Sequence, residues 1–352
     1  TMLARGGIIT GGSTASGGGV YVSSGGKFNM NGGTITGCTA TGDGGGVYAA
    51  PDGTMTMNSD ASISGCTAAD GAGIYLVGTL NANGGTVGRA VKVAALDDGA
   101  GTKGHGHIAT TGGSGTTFTA KVTVERHSGG EVGKISGGTF DGEVVNQGEI
   151  DGGTFHAKVS NGEPGSNSSV GAITGGTFTG EVTNNVGSTI SGGTFHGAVT
   201  NIGTINNGTF AGTVTNKTDG AQSSGGGGNA GTIHDGTFTG TVTNDKDCTI
   251  SGGTFNKAVI NSGMITGGSF EGEITGNGNV NFTDSSTPVY TVRFMADEQE
   301  YETKYVTNLN VIISRPSTNP TKAGYEFDQW GYNGTPWDFD KSVAGNLGAG
   351  PT

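Results

Sequence analysis

Charge is scarce in this sequence. Asp, Glu, Lys and Arg together make up 13% of its 352 residues, about half the usual share of ~25%. The balance is acidic, with a formal net charge of −12, so the chain should repel nucleic acid and anionic membrane surfaces. The acids are dilute rather than clustered, which also reads as simple solubility. Only three cysteines occur, Cys38, Cys66 and Cys248, too few for a disulfide scaffold and not at zinc-type spacing. Seven prolines, and no uninterrupted Gly-X-Y triplet, exclude collagen. No apolar run approaches the ~20 residues of a membrane-spanning helix, so no membrane insertion is expected. The opening residues 1–7 (TMLARGG) carry no leader, and the sequence reads as a piece of a longer polypeptide.

Glycine is abundant instead: 75 of 352 residues, about 21% against a usual ~7%. Glycine destabilises helix interiors by up to ~1 kcal/mol each, so a helical or α/β domain is excluded. Disorder is excluded by the arrangement of the other residues. Gly-Thr-Phe recurs, ending at Phe140, Phe155, Phe178, Phe195, Phe210, Phe238 and Phe255, and Gly-Ser-Phe270 closes the series. Five residues before each phenylalanine stands an isoleucine, from Ile135 and Ile150 through Ile190 to Ile265. Four residues after stands a valine or isoleucine, from Val144 through Val199 to Ile274. Six residues after, in seven of the eight copies, stands an asparagine, Asn146, Asn161, Asn184, Asn201, Asn216, Asn244 or Asn261. Each bulky residue lies between polar ones, the period-2 mark of a short strand with one residue facing inward. Glycine and asparagine are expected at the corners, because both tolerate left-handed backbone angles. Three short strands per turn make a three-sided coil, and stacking the coils builds ladders of Ile on Ile, Phe on Phe and Val on Val. Eight such coils at ~4.8 Å would rise roughly 40 Å.

The phenylalanines are 15, 23, 17, 15, 28, 17 and 15 residues apart, which suggests a tandem duplication of a three-coil block. The long spacings hold insertions at 163–171 and 217–231, both after the asparagine. Insertions on one face often belong to a binding surface, which makes Ser166, Asn167, Asp219 and Gln222 loop candidates for binding; their Gly/Ser surroundings read more plainly as flexible excursions. The first quarter of the chain repeats with a longer period, since GGGVY, GGGVY and GAGIY put tyrosines at 21, 48 and 75. Cys38 and Cys66 then fall in one column of neighbouring coils, close enough for a disulfide or equally two buried thiols.

These wide coils resemble the polymorphic outer-membrane-protein repeats, marked by a Gly-Gly-apolar element and F-x-x-N. The matching residues are Gly18-Gly19-Val20 with Phe28-x-x-Asn31, then Gly45-Gly46-Val47; Met55 stands in place of the second phenylalanine. The resemblance implies a right-handed parallel β-helix in a bacterial adhesin or autotransporter passenger; the handedness of the short coils is left open. Residues 88–132 break the pattern and are expected to form a degenerate coil with an outward loop. Near residue 287 glycine falls while aromatics and charge rise, and both tryptophans lie beyond it. Alternating stretches at Tyr290–Phe294, Val311–Ile313, Tyr325–Trp330 and Trp337–Phe339 indicate a separate β-rich domain. Pro320-Thr321-Lys322-Ala323-Gly324-Tyr325-Glu326-Phe327 followed by Trp330 resembles the Listeria–Bacteroides repeat, the B-repeat of internalin-type surface proteins. That resemblance implies a β-grasp-like stalk or spacer. The glycine-rich turn usual after its first strand is replaced by Met295–Glu300, so a binding role for that turn would not transfer.

The expected organisation is therefore all-β: wide coils over 1–87, a bridge over 88–132, narrow coils over 133–286, the B-repeat-like domain over 287–345 and a tail over 346–352. Catalysis on a β-helix needs converging carboxylates, or a carboxylate beside lysine or arginine. The outward positions show no acid column, only a Glu143–Lys158 pair across adjacent coils, and an exposed pair of this kind is worth at most ~1 kcal/mol. His105, His107 and His127 are weak metal candidates without the spacing of a site. Corner aspartates (Asp43, Asp70, Asp97) leave a loose calcium option. No cofactor is expected. The threonines before each phenylalanine suggest ice binding, but the position after it carries His156, His196 and Glu271 and spoils a second flat column. Taken together, the resemblances imply a non-enzymatic protein, extracellular, secreted or on a bacterial cell surface, with a host glycan, mucin or host surface protein as partner. A polysaccharide lyase or glycosidase is the alternative, and an ice-binding protein a remote one.

Overall fold

A computed structural model describes residues 1–97, 103–112, 115–127, 130–166, 168, 170–220, 229–282 and 288–348. The chain divides into two compact units, Thr1–Val199 and Thr200–Thr352. Both are built from stacked parallel coils, a parallel β-helix.

Three columns of buried side chains make the core of the first unit. One runs Phe28, Met55, Leu80, Ile108, Ile135, Ile150, Ile173, Ile190, each strand pairing in register with the next. A second runs Ile35, Ile63, Val87, Phe118, Phe140, Phe155, Phe178, Phe195. The third runs Val20, Val47, Ile74, Val91, Val122, Val144, Val159, Val182. The wide and narrow coils thus share the same three columns, which pass residues 87 and 132 without a break. The expected bridge is itself a coil. Its isoleucine is Ile108, ten residues before Phe118, so a fixed five-residue step does not find it. The outward loop is there too, as an antiparallel pair of Ala95–Asp97 with Lys103–His105.

Phenylalanines 140, 155, 178 and 195 stack with centroids 4.7 Å apart and planes within 8°. Such pairs add about 0.5–1.5 kcal/mol each beyond burial. The turn into each Thr-Phe strand needs the second glycine of Gly-Gly-Thr-Phe, with φ of 101, 103, 101 and 102° at Gly138, Gly153, Gly176 and Gly193. Asparagine does not share this work. None of the column asparagines has a positive φ. They end their strands fully buried and bond one another: Asn146 Nδ2 donates to Asn161 Oδ1 at 2.7 Å, and Asn161 Nδ2 to Asn184 Oδ1 at 2.8 Å. The same ladder recurs in the second unit through Asn201, Asn216, Asn244 and Asn261, at 2.7–2.8 Å. The corner role expected of asparagine is replaced by a buried amide column, which satisfies groups that would be costly to leave unpaired.

The second unit stacks Ile205, Ile233, Ile250, Ile265 and Val280 beside Phe210, Phe238, Phe255 and Phe270. Its last coil ends the parallel stack. Ile274 pairs antiparallel with Tyr305 of Gln299–Val306, which pairs in turn with Tyr290–Ala296. A cluster of Phe294, Val306, Val311, Ile313, Trp330 and Val343 forms the core of this terminal module. A short hairpin (Gly331–Tyr332 with Thr335–Pro336) and a five-residue helix, Val343–Leu347, complete it. Residues 307–330 carry no strand, only a Lys322–Tyr325 bridge, so the fuller sheet of a β-grasp is absent among the described residues. Pro316 and Pro320 lie in this stretch and lack the backbone donors that a ladder uses.

Candidate functional site

The outward side of the valine strands carries the most distinctive side chains of the first unit. In Val20–Val22, Val47–Ala49 and Ile74–Leu76 the flanking residues are buried and the central tyrosine faces out. Pairing in register places Tyr21 on Tyr48 and Tyr48 on Tyr75. Their rings stack at 5.1 and 5.5 Å, within 7° of parallel. Tyr21 is 56% exposed, whereas Tyr48 and Tyr75 are half-buried. Burial raises the phenol pKa of both, helped at Tyr48 by Tyr21 and at Tyr75 by Asp43 and Glu125.

Lys92 follows Tyr75 in this column. Its Nζ lies 2.5 Å from Glu125 Oε1 and 3.6 Å from Asp70 Oδ2. Burial works against the ammonium, but the hydrogen bond and charge of Glu125, with Asp70, raise its pKa on balance. Asp43 and Asp70 occupy stacked positions, and burial followed by the charge of Asp70 raises the Asp43 carboxyl. The calcium option at Asp43 and Asp70 meets this ammonium, which already supplies the positive charge.

A second polar network lies on the isoleucine side. His107 Nε2 is 2.8 Å from Ser136 Oγ. Lys134 Nζ is 2.8 Å from Asp151 Oδ2 and 3.2 Å from Glu149 Oε1. The hydrogen bond to Asp151 holds the Lys134 pKa up. Burial opposes ionisation of Asp151, but hydrogen bonds from Lys134 and Ser136 outweigh it and lower its pKa. Burial, then Lys134, lowers that of His107. The raised pKa of Lys134 keeps it an ammonium, so it is not poised as a base.

The expected sites fare differently. The three histidines do not converge: His105 Nδ1 is 3.6 Å from Glu131 and His107 meets Ser136. Among the described residues no group of three His, Cys, Asp or Glu could hold a metal. Cys38 and Cys66 are free and buried rather than bonded. Each Sγ reaches backbone oxygens of its own and the preceding coil, Cys66 to Ser64 O at 3.3 Å and Ile35 O at 3.8 Å. Cys248 is also a free thiol, pushed up to about 11 by burial. Glu143 pairs with Lys121 at 3.8 Å rather than with Lys158. Ser166 sits where its amide donates to Glu163 O. Asp219 closes the stem of the second insertion, accepting from Asn229 Nδ2 at 2.8 Å. Asn167 and Gln222 lie outside the described residues. Sequence reasoning used the tyrosines only as period markers; their V-Y-V alternation was the signal for an outward ladder.

In the second unit the terminal module is held to the last coil by a buried ion cluster. Lys304, 1% exposed, reaches Glu273 Oε2 at 3.1 Å, Glu302 Oε1 at 3.2 Å and Ser314 Oγ at 2.5 Å. Residues 290–347 match the Listeria-Bacteroides repeat domain. That domain occurs in bacterial surface proteins, and a role at the bacterial surface fits it. No curated protein and no solved structure matches the chain. Within the Listeria-Bacteroides repeat, the matching motif Pro320–Phe327 contributes Phe327, which packs on Trp330 with centroids 5.1 Å apart.

Proposed function

We propose that this chain belongs to a non-enzymatic bacterial surface protein, secreted or held at the cell surface, whose coils form a shaft presenting an adhesive face to a host glycan, mucin or surface protein. The tyrosine ladder carries this reading. Three stacked, outward rings occupy a column whose later members in the first unit include Thr123 and Thr183. Tyrosine supplies large contact area for little conformational entropy and is enriched where proteins bind partners. Asp70, Lys92 and Glu125 beside it offer charged groups for a polar rim. The Listeria-Bacteroides repeat and the resemblance of the Gly-Gly-Val elements to polymorphic outer-membrane-protein repeats support the same reading.

Binding of the full chain to glycan arrays, mucin and host surface proteins tests it. The expected outcome is a bound partner whose affinity falls at least about tenfold in Tyr48→Ala, the behaviour of a central interface aromatic. Binding to none of these would sink the proposal, and indifference of every bound partner to Tyr48→Ala would remove the ladder as its adhesive face. A carbohydrate-active enzyme is the second reading, favoured by the juxtaposition of Lys134, Glu149 and Asp151. Release of reducing ends or unsaturated sugars that disappears in Asp151→Asn would establish it.

A further inference from the structure

A groove of about 690 Å3 opens in the second unit between the corner of the last coil and the strand Gln299–Val306. Its size falls within the ~300–1,000 Å3 of small-molecule sites. Ile260, Asn277, Glu300, Tyr301, Glu302 and Tyr305 are among its lining residues, and no Lys, Arg or His joins them. Glu302 is fixed from behind, accepting from Lys304 Nζ at 3.2 Å and the Ser317 amide at 3.1 Å. Glu300 accepts from Thr303 Oγ1 and lies 3.9 Å from Arg293 Nε. Both carboxylates therefore stand as acceptors oriented by neighbours within the protein. They can accept hydrogen bonds from hydroxyl groups.

A second observation concerns Ile260. It continues an outward column that is threonine before it (Thr243) and after it (Thr275). Yet it is isoleucine and 45% exposed, an apolar contact on the wall of a groove that also carries two carboxylates and two phenols. Acceptors, phenols and one apolar patch match a ring with hydroxyl edges and a C–H face.

We propose that this groove is a glycan subsite that takes an uncharged, hydroxyl-rich saccharide and disfavours sialylated or uronate chains, for which it has no cationic partner. The proposal rests on the adhesive reading and gives it a second site, remote in sequence from the tyrosine ladder. The test is calorimetric titration of the full chain with uncharged oligosaccharides, their sialylated counterparts and an oligolysine peptide. Wild type is compared with Ile260→Thr, Glu300→Gln and Tyr48→Ala. The expected result is binding of the uncharged sugars alone, at least tenfold weaker in Ile260→Thr and in Glu300→Gln and unchanged in Tyr48→Ala. Preference for sialylated sugar or for oligolysine overturns it, as does an absence of saccharide binding. Sugar binding that survives both groove variants but falls in Tyr48→Ala also overturns it, while leaving the adhesive reading in place. Failure of every glycan, mucin and protein partner removes both.

Discussion

Asn161 accepts an amide hydrogen bond from Asn146 and donates one to Asn184, with none of the three exposed. Replacing it with alanine leaves a donor on one side and an acceptor on the other without their column partner. Each of these two buried hydrogen bonds is worth about 0.5–1.5 kcal/mol, so Asn161→Ala should lower the urea midpoint of the protein clearly, whereas Thr183→Ala on the outer face should scarcely move it. The recurrence of asparagine was legible in the sequence, but its use was not. A side chain bonding another 15 or 23 residues away depends on strand register, which local turn preference does not report. Asp43 gives a prediction in pH. Its carboxyl pKa is raised above 3.8 by burial and then by Asp70, so the folded state favours the protonated form. That contribution is fully present below 3.8 and is lost as pH rises through the folded value. Asp43→Asn should therefore raise the Tm at neutral pH by a few degrees, with the gain closing in acid. Melting curves across that range check it.

The Gly-Gly-Thr-Phe turn is the element that sets the coil. At Gly176 φ is +101° and an added Cβ would sit 3.3 Å from the rings of Phe155 and Phe178. Gly176→Ala combines a strained backbone with pressure on the ring stack and should cost more than ~1 kcal/mol, measured by denaturant unfolding. The Phe, Ile and Val columns of the narrow coils could be read from sequence because their spacing is fixed. The coil over 88–132 could not, since residues 109–117 intervene between Ile108 and Phe118 and dissolve the five-residue step. The tyrosine ladder was half legible: its period stood out, but its partners Lys92 and Glu125 come from later coils that lack the tyrosine. In that coil, His107 is held below its usual 6.5 by burial and by Lys134. Its contribution to stability is present above 6.5 and is lost as pH falls through the lower folded value. His107→Gln should flatten this part of the stability profile, which an acid titration followed by circular dichroism would reveal.

Both tryptophans, Trp330 and Trp337, sit in the terminal module, so intrinsic fluorescence reports that module while far-ultraviolet dichroism is dominated by the coils. Glu273→Gln removes one carboxylate from buried Lys304. Breaking a buried pair costs up to about 3–5 kcal/mol, so the variant should lower the fluorescence midpoint more than the dichroism midpoint. Coincident shifts would mean that coils and module unfold as one. The module was legible because its motif is specific, whereas the ion cluster was not: Glu273 stands in a coil position that also takes Thr or Ala. The in-register columns have a wider consequence. Phe210 meets Phe238 across 28 residues and Phe238 meets Phe255 across 17 with the same ring spacing, 4.8 and 4.7 Å. The stack is therefore indifferent to how much chain is spent outside it, and equally to how many coils it contains. Insertion or deletion of a whole turn would create no new kind of contact. For a gene encoding such a protein, reach becomes a heritable variable, altered in steps of about 4.8 Å per turn while each surviving coil keeps its neighbours.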